Sequence, residues 1–211
     1  VQLQVALDRI ELGAATRVAA TVAPHADWIE VGTSLIKRYG MTSVAETVAA
    51  AGSTPVLADL KTADDAATEF GMAFEHGARA ATVLATATDQ TVERCAALAH
   101  DANAEVLLDL LATSASRRDQ LLRKLPPDVI FAAHVGKDAQ STGDGPGAIL
   151  GDWVRGRRVA VAGGITESGL TSLADAPAAQ LRVIVGSAIT TAPDPAAAAR
   201  RMSTTSTRST A

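Results

Sequence analysis

Aromatic side chains make up only 3% of the 211 residues, too few for a surface that stacks bases or sugar rings. There is one cysteine, Cys95, which excludes an intramolecular disulfide framework and suits a reducing cytoplasm. It lies in an alanine-rich helical pattern, where a small core residue is expected rather than a nucleophile. No apolar run approaches the roughly 18 residues needed to cross a bilayer, so no membrane partner is expected. The first residues, Val1-Gln2-Leu3-Gln4-Val5, lack the basic region and cleavage site of a signal peptide. Charge of neither sign dominates: the net value is −4 with 20% charged residues, which argues against disorder and against nucleic acid as a partner. The dinucleotide fingerprint GxGxxG is missing as well.

The chain does carry apolar runs of four to six residues, each followed by a helical pattern. They are Val5–Asp8, Trp28–Gly32, Pro55–Asp59, Ala80–Leu84, Val106–Asp109, Val129–His134, Val159–Gly164 and Leu181–Gly186. Short and almost continuously apolar, they read as strands buried on both faces, as in a parallel sheet covered by helices. Leu84, Asp109 and His134 end three successive runs, each 25 residues after the last, about the length of one βα unit. Helical spacing recurs over Leu12–Val22, Ala66–His76, Thr91–His100 and Arg117–Leu125. Ser43 with Glu46 has the form of a capping box, and Asp194-Pro195 that of an N-cap followed by proline. The expected fold is therefore an α/β (β/α)8 TIM barrel, one domain over residues 1–202, with 203–211 a disordered polar tail. An open doubly wound sheet is the alternative.

What stops each run is the most informative feature. Asp8, Glu30, Asp59, Asp109 and His134 stand at or next to the C-terminal ends of five strands, the end where barrels of this kind carry their chemistry. An acid after a strand often caps the next helix, but four acids and a histidine converging on one mouth exceed that explanation. Glu30 and Asp59, on neighbouring strands, form a candidate Mg²⁺ site, since this hard cation takes one or two carboxylates and completes its shell with water and substrate oxygens. Lysine is scarce, four against 15 arginines, yet Lys61 follows Asp59 by two residues and Lys137 follows another strand end. Alternation predicts that Asp59 and Lys61 share one side of the strand, placing an ammonium where it stabilises a developing oxyanion. Asp64 completes an acid–lysine–acid array, while Asp65 is expected to cap the following helix. Gly163-Gly164 and Gly186-Ser187 end the last two strands, the usual barrel position for a phosphate, though tight turns use the same residues. His25, His76 and His100 read as surface histidines.

Over nearly the whole chain these segments resemble the 3-hexulose-6-phosphate synthases of the orotidine 5′-phosphate decarboxylase superfamily. The most specific pieces are Glu30-Val31-Gly32-Thr33-Ser34-Leu35-Ile36-Lys37, Ala58-Asp59-Leu60-Lys61-Thr62 and His134-Val135-Gly136-Lys137-Asp138-Ala139-Gln140. Val161-Ala162-Gly163-Gly164-Ile165 and Val185-Gly186-Ser187-Ala188-Ile189-Thr190 add the phosphate end. The resemblance implies a Mg²⁺-dependent barrel, with Mn²⁺ as substitute, that joins formaldehyde to ribulose 5-phosphate reversibly through a 1,2-enediolate. It implies Asp8, Lys61, Asp64, Asp109 and His134 as catalytic residues and Glu30 and Asp59 as metal ligands. It further implies a homodimer in which Asp64 reaches the neighbouring subunit's site. Asp109 matches the synthases, whereas the related 3-keto-L-gulonate 6-phosphate decarboxylases usually have glutamate there. Ser34 stands where proline is common, Tyr39 where an acid is common, and Ala63-Asp64-Asp65-Ala66 replaces Met-Asp-Ala-Gly. Lys137 is basic where synthases tend to be apolar and the decarboxylases carry arginine. Decarboxylation of a sugar phosphate is therefore the alternative activity, and a non-catalytic sugar-phosphate-binding barrel the alternative of another class.

Overall fold

The computed structural model describes residues 1–136, 150–173 and 175–207. Its strands are β1 (Gln2–Leu7), β2 (Trp28–Val31), β3 (Val56–Thr62), β4 (Ala80–Leu84), β5 (Glu105–Asp109), β6 (Ile130–His134), β7 (Arg158–Ala162) and β8 (Gln180–Val185). They pair in sequence order, all parallel, and β8 closes back on β1. The helices are α1 (Leu12–Val22), α2 (Thr33–Tyr39), α3 (Thr42–Ala51), α4 (Ala66–Glu75), α5 (Asp89–Asp101), α6 (Ala115–Lys124), α7 (Glu167–Leu173), α8 (Ser187–Thr190) and α9 (Pro195–Thr207). This is the (β/α)8 barrel, and the open sheet is excluded. Among the described residues no helix is long and apolar enough to cross a membrane.

Two apolar layers follow from strand alternation. The outward-facing residues, among them Leu3, Val5, Ile29, Val31, Leu108, Phe131, Val159 and Val183, pack against the helices in one continuous core. The inward-facing residues Trp28, Leu57, Ala80, Leu107, Ile130, Ala132 and Ala160 fill the barrel itself. Each fully buried leucine or isoleucine contributes about 1.5–3 kcal/mol, so the interior is a plug rather than a pore. Above that plug the inward positions turn polar, and the cleft begins there. Cys95 is fully buried, and burial pushes its thiol up to about 12, consistent with a core residue.

Helix starts follow the sequence with one exception. Asp65 caps α4 by accepting from the Thr68 N–H, and Asp194 caps α9 by accepting from the Ala197 N–H at 2.9 Å. Ser43 and Glu46, by contrast, form no capping box. Gly40, at φ 61°, ends α2 and turns the chain so sharply that α3 already begins at Thr42. Ser43 is thereby buried in the first turn, where its hydroxyl donates to the Gly40 carbonyl at 2.6 Å. At the other end α9 continues to Thr207, beyond residue 202, since no glycine or proline interrupts it. Residues 208–211 lie outside the described residues.

Candidate active site

A cleft of about 650 Å³ opens at the C-terminal ends of the strands. Asp8, Glu30, Asp59, Lys61, Asp109, His134, Gly163, Gly164, Gly186 and Ser187 all line it. Asp64 does not: it is exposed, in the loop between β3 and α4. Lys137 lies outside the described residues.

Lys61 and its acids form the centre. The register of β3 against β4 shifts between Ala58 and Thr62, so β3 has two extra residues there. Lys61 sits in this bulge with φ 50°, a conformation that a non-glycine side chain adopts at a cost. The shared facing of Asp59 and Lys61 therefore comes from a bulge and not from the plain alternation that the sequence suggested. The Lys61 ammonium donates to both oxygens of Asp59, at 3.0 and 2.9 Å, and to Asp109 Oδ2 at 2.8 Å. Burial opposes its charge, but the two carboxylates outweigh that and raise its pKa. Thr82 locks the bulge: its hydroxyl accepts from the Lys61 N–H and donates to Asp59 Oδ1, both at 2.8 Å. Thr33 donates to Asp59 Oδ2 at 2.6 Å.

Asp109 also faces His134, whose Nδ1 lies 3.1 and 3.0 Å from its two oxygens. Despite burial, His134 and Lys61 hold the Asp109 carboxyl down at about 2. An ionised carboxylate only accepts, so Nδ1 carries a proton, and with that nitrogen protonated the lone pair of a neutral ring is on Nε2. That is the tautomer of a base.

Glu30 is 8% exposed at the bottom of the cleft. Its Oε2 accepts from the Gln4 amide, and Oε1 has no hydrogen-bond partner among the described residues. Burial and the neighbouring Asp59 push its carboxyl up to about 8. Four carboxylates thus share a cleft in which Lys61 is the central cation. Among the described residues no three His, Cys, Asp or Glu side chains converge as a cage. A pair of carboxylates with one open, uncompensated oxygen fits a hard divalent cation that draws its other ligands from water and substrate.

The rim is built by close approaches. A Cβ on Gly32 would stand 2.7 Å from the Leu7 carbonyl oxygen and 2.8 Å from the Asp8 side chain, so glycine is what lets the tips of β1 and β2 meet. Asp8 Oδ1 then accepts from the Ser34 N–H at 3.2 Å and from the Ser34 hydroxyl. Gly163, at φ 108°, lies against the Val135 carbonyl, where a Cβ would stand only 2.3 Å away. Gly186 is the N-cap of α8 and Ser187 its first residue, facing the cleft beside Gly163 and Gly164. Gln4, Thr33, Ser34 and Thr82 support the site although none stands at a strand end. The signal for Gln4 and Thr82 was a polar residue interrupting an apolar strand; Thr33 and Ser34 were marked only by lying in the segment Glu30–Lys37 that carries the resemblance.

A (β/α)8 barrel with acids, Lys61 and His134 at the C-terminal strand ends, and glycines closing its last two strands, is an enzyme scaffold. The chain belongs to the orotidine 5′-phosphate decarboxylase / HUMPS family, whose pattern matches residues 1–202. It is 32% identical over 205 residues to the 3-hexulose-6-phosphate synthase of Staphylococcus aureus (strain USA300), covering 95% of this chain and 96% of that one. The crystal structure of 3-hexulose-6-phosphate synthase from Salmonella typhimurium superposes with a TM-score of 0.91 at 32% identity, covering 99% of each chain. The crystal structure of 3-keto-L-gulonate-6-phosphate decarboxylase from Vibrio cholerae gives a TM-score of 0.83 at 27% identity over 98% of this chain and 97% of that one.

Proposed function

We propose that this chain is an aldehyde-lyase of the 3-hexulose-6-phosphate synthase type, joining formaldehyde to ribulose 5-phosphate in a reversible reaction. The observation that carries the reading is the linked set Asp59–Lys61–Asp109–His134, an ammonium and an oriented imidazole on one aspartate. Gly163, Gly164, Gly186 and Ser187 hold the phosphate, presenting backbone N–H groups at the ends of β7 and β8. Asp8 orients a substrate hydroxyl. Glu30 and Asp59 would hold Mg²⁺, or Mn²⁺ in its place, which would supply Lewis-acid polarisation of the ketose oxygens. Both Asp59 oxygens receive two donors each, from Lys61, Thr33 and Thr82, and Lys61 has a second anchor in Asp109.

His134 Nε2 takes the proton from C1 of the ketose. The resulting 1,2-enediolate carries its charge on the C2 oxygen, where the Lys61 ammonium stabilises it. Its C1 then bonds to the carbon of formaldehyde, and the former carbonyl oxygen takes up the proton that His134 held. Asp109 keeps the imidazole in register throughout. The protein works as a homodimer, with Asp64 serving the partner subunit's cleft.

The test is loss of formaldehyde on incubation with ribulose 5-phosphate and Mg²⁺, abolished by chelator and in Glu30→Gln. A second reading, decarboxylation of a sugar-phosphate β-keto acid, draws on the same enediolate and on the 27% identity to the Vibrio cholerae decarboxylase. Release of CO₂ from 3-keto-L-gulonate 6-phosphate with no loss of formaldehyde establishes that reading instead. Binding of ribulose 5-phosphate with neither reaction overturns both.

A further inference from the structure

Beneath the cleft, the barrel interior holds a second polar chain that the reaction above does not use. Arg182, on β8, is 1% exposed and lies 4.3 Å under the face of the Trp28 ring. Its guanidinium donates to Glu105 Oε2 at 2.6 Å, to Gln2 Oε1 at 3.2 Å and to Gln4 Oε1 at 3.3 Å. Gln4, on β1, has no exposed surface, and its Nε2 donates to Glu30 Oε2. A continuous line of contacts thus runs from Glu105 through Arg182 and Gln4 to the carboxylate at the bottom of the cleft.

The polarity of that line is fixed by chemistry. A guanidinium offers only donors, so it takes the Gln4 oxygen and leaves the NH₂ to Glu30, whose Oε2 accepts whether its carboxyl is ionised or neutral. Between the two, an amide has one satisfactory orientation: oxygen toward Arg182, NH₂ toward Glu30. Turned over, it would face the guanidinium donor with donor in a buried setting, losing that bond. Gln4 therefore always occupies Glu30 Oε2, which leaves Oε1 as the oxygen that faces the cleft.

We infer that Gln4 is a positioning residue for the cation-binding carboxylate of Glu30, and that Arg182 sets the direction in which Gln4 faces. This rests on Glu30 being a cation ligand. Outer partners of this kind are worth about 10–100-fold in metal affinity, because they fix the ligand's orientation before the ion arrives.

The experiment is a titration of the chelator-treated full chain with Mn²⁺ alone, following free Mn²⁺ by its electron paramagnetic resonance signal. Circular dichroism establishes that each variant is folded. Gln4→Met is expected to weaken Mn²⁺ binding about tenfold or more. Arg182→Met, which removes the orienting group and leaves Arg158 to pair with Glu105, is expected to weaken it several-fold. Ile130→Val, a packing change in the same interior at a side chain with no polar group, leaves the affinity where it was. If both Gln4→Met and Arg182→Met bind Mn²⁺ as the wild type does, the positioning role is wrong. Should Gln4→Met not fold, Arg182→Met decides alone by the same criterion. If the wild type binds no Mn²⁺, or Glu30→Gln binds it equally well, the reading of Glu30 as a ligand fails and takes this inference with it.

Discussion

Lys61 Nζ lies 2.8 Å from Asp109 Oδ2, so one side chain reaches from β3 to β5 across the strand between them. The same ammonium is in contact with Asp59, which makes it a half-buried cation between two buried acids. Buried ion pairs are poor sources of stability, because desolvation offsets most of the attraction. Their arrangement here, in an open cleft beside an oriented histidine, is better explained by chemistry than by folding.

On the proposed mechanism, replacing Lys61 by alanine removes the charge that meets the C2 oxygen of the enediolate. Exchange of the C1 proton of ribulose 5-phosphate with solvent deuterium, without formaldehyde, is expected to slow by about 100-fold or more, the scale of one lost oxyanion stabiliser. Wild-type turnover together with undiminished exchange in Lys61→Ala would assign the charge to another group.

Thr82 carries the strain of the bulge. The Lys61 backbone at φ 50° and the Asp59 carboxylate both depend on its hydroxyl. Thr82→Val keeps the shape and removes both bonds, leaving a buried N–H without its acceptor. A loss of about 1–3 kcal/mol in urea denaturation is expected, with a fall in activity. Thr82→Ser restores both. Equal stability of the valine and serine variants would mean that the bulge holds itself.

How much of this was legible beforehand depends on whether the information was local. The strands were, because burial on both faces writes itself as an apolar run, and a polar residue at its end stands out; Asp8, Glu30, Asp109 and His134 were found in this way. The bulge in β3 was not, since lysine is no glycine and nothing in Ala58-Asp59-Leu60-Lys61-Thr62 announces a positive φ. The capping box at Ser43 failed for a similar reason: the turn at Gly40 settled where α3 starts before a local motif could. Gln4 and Arg182 were visible as polar interruptions of Leu3-Gln4-Val5 and Leu181-Arg182-Val183. Their meaning lay in a partner across the barrel, some 178 residues away in the chain.

Glu30 makes the metal-free protein sensitive to pH. Its carboxyl titrates at about 8 when folded, against about 4.3 in an unfolded chain. Between these values the native state holds a proton that the unfolded state has released, so raising the pH favours unfolding. The contribution is whole below about pH 4 and is lost progressively as the pH climbs through 8, with a slope of at most about 1.4 kcal/mol per pH unit. In chelator, urea unfolding of the wild type from pH 5.5 to 8.5 is expected to show this decline, and Glu30→Gln a shallower one. Parallel profiles would mean that Glu30 is already ionised at neutral pH.

Asp64 offers the sharpest test of the assembly. It lies three residues past Lys61, yet it is exposed and takes no part in lining its own cleft. In a two-fold dimer each subunit gives and receives the same residues, so a group lent to the partner is borrowed back in return. Lys61→Ala and Asp64→Ala are each expected to be inactive alone. Mixed and allowed to exchange subunits, half of the dimers are heterodimers. In these, one cleft has an intact Lys61 of its own and an intact Asp64 from its partner, while the other cleft lacks both. Activity should return to about a quarter of the wild-type value, one good site in half of the dimers. If Asp64 acts within its own subunit, every site in the heterodimer lacks one residue, and mixing restores nothing.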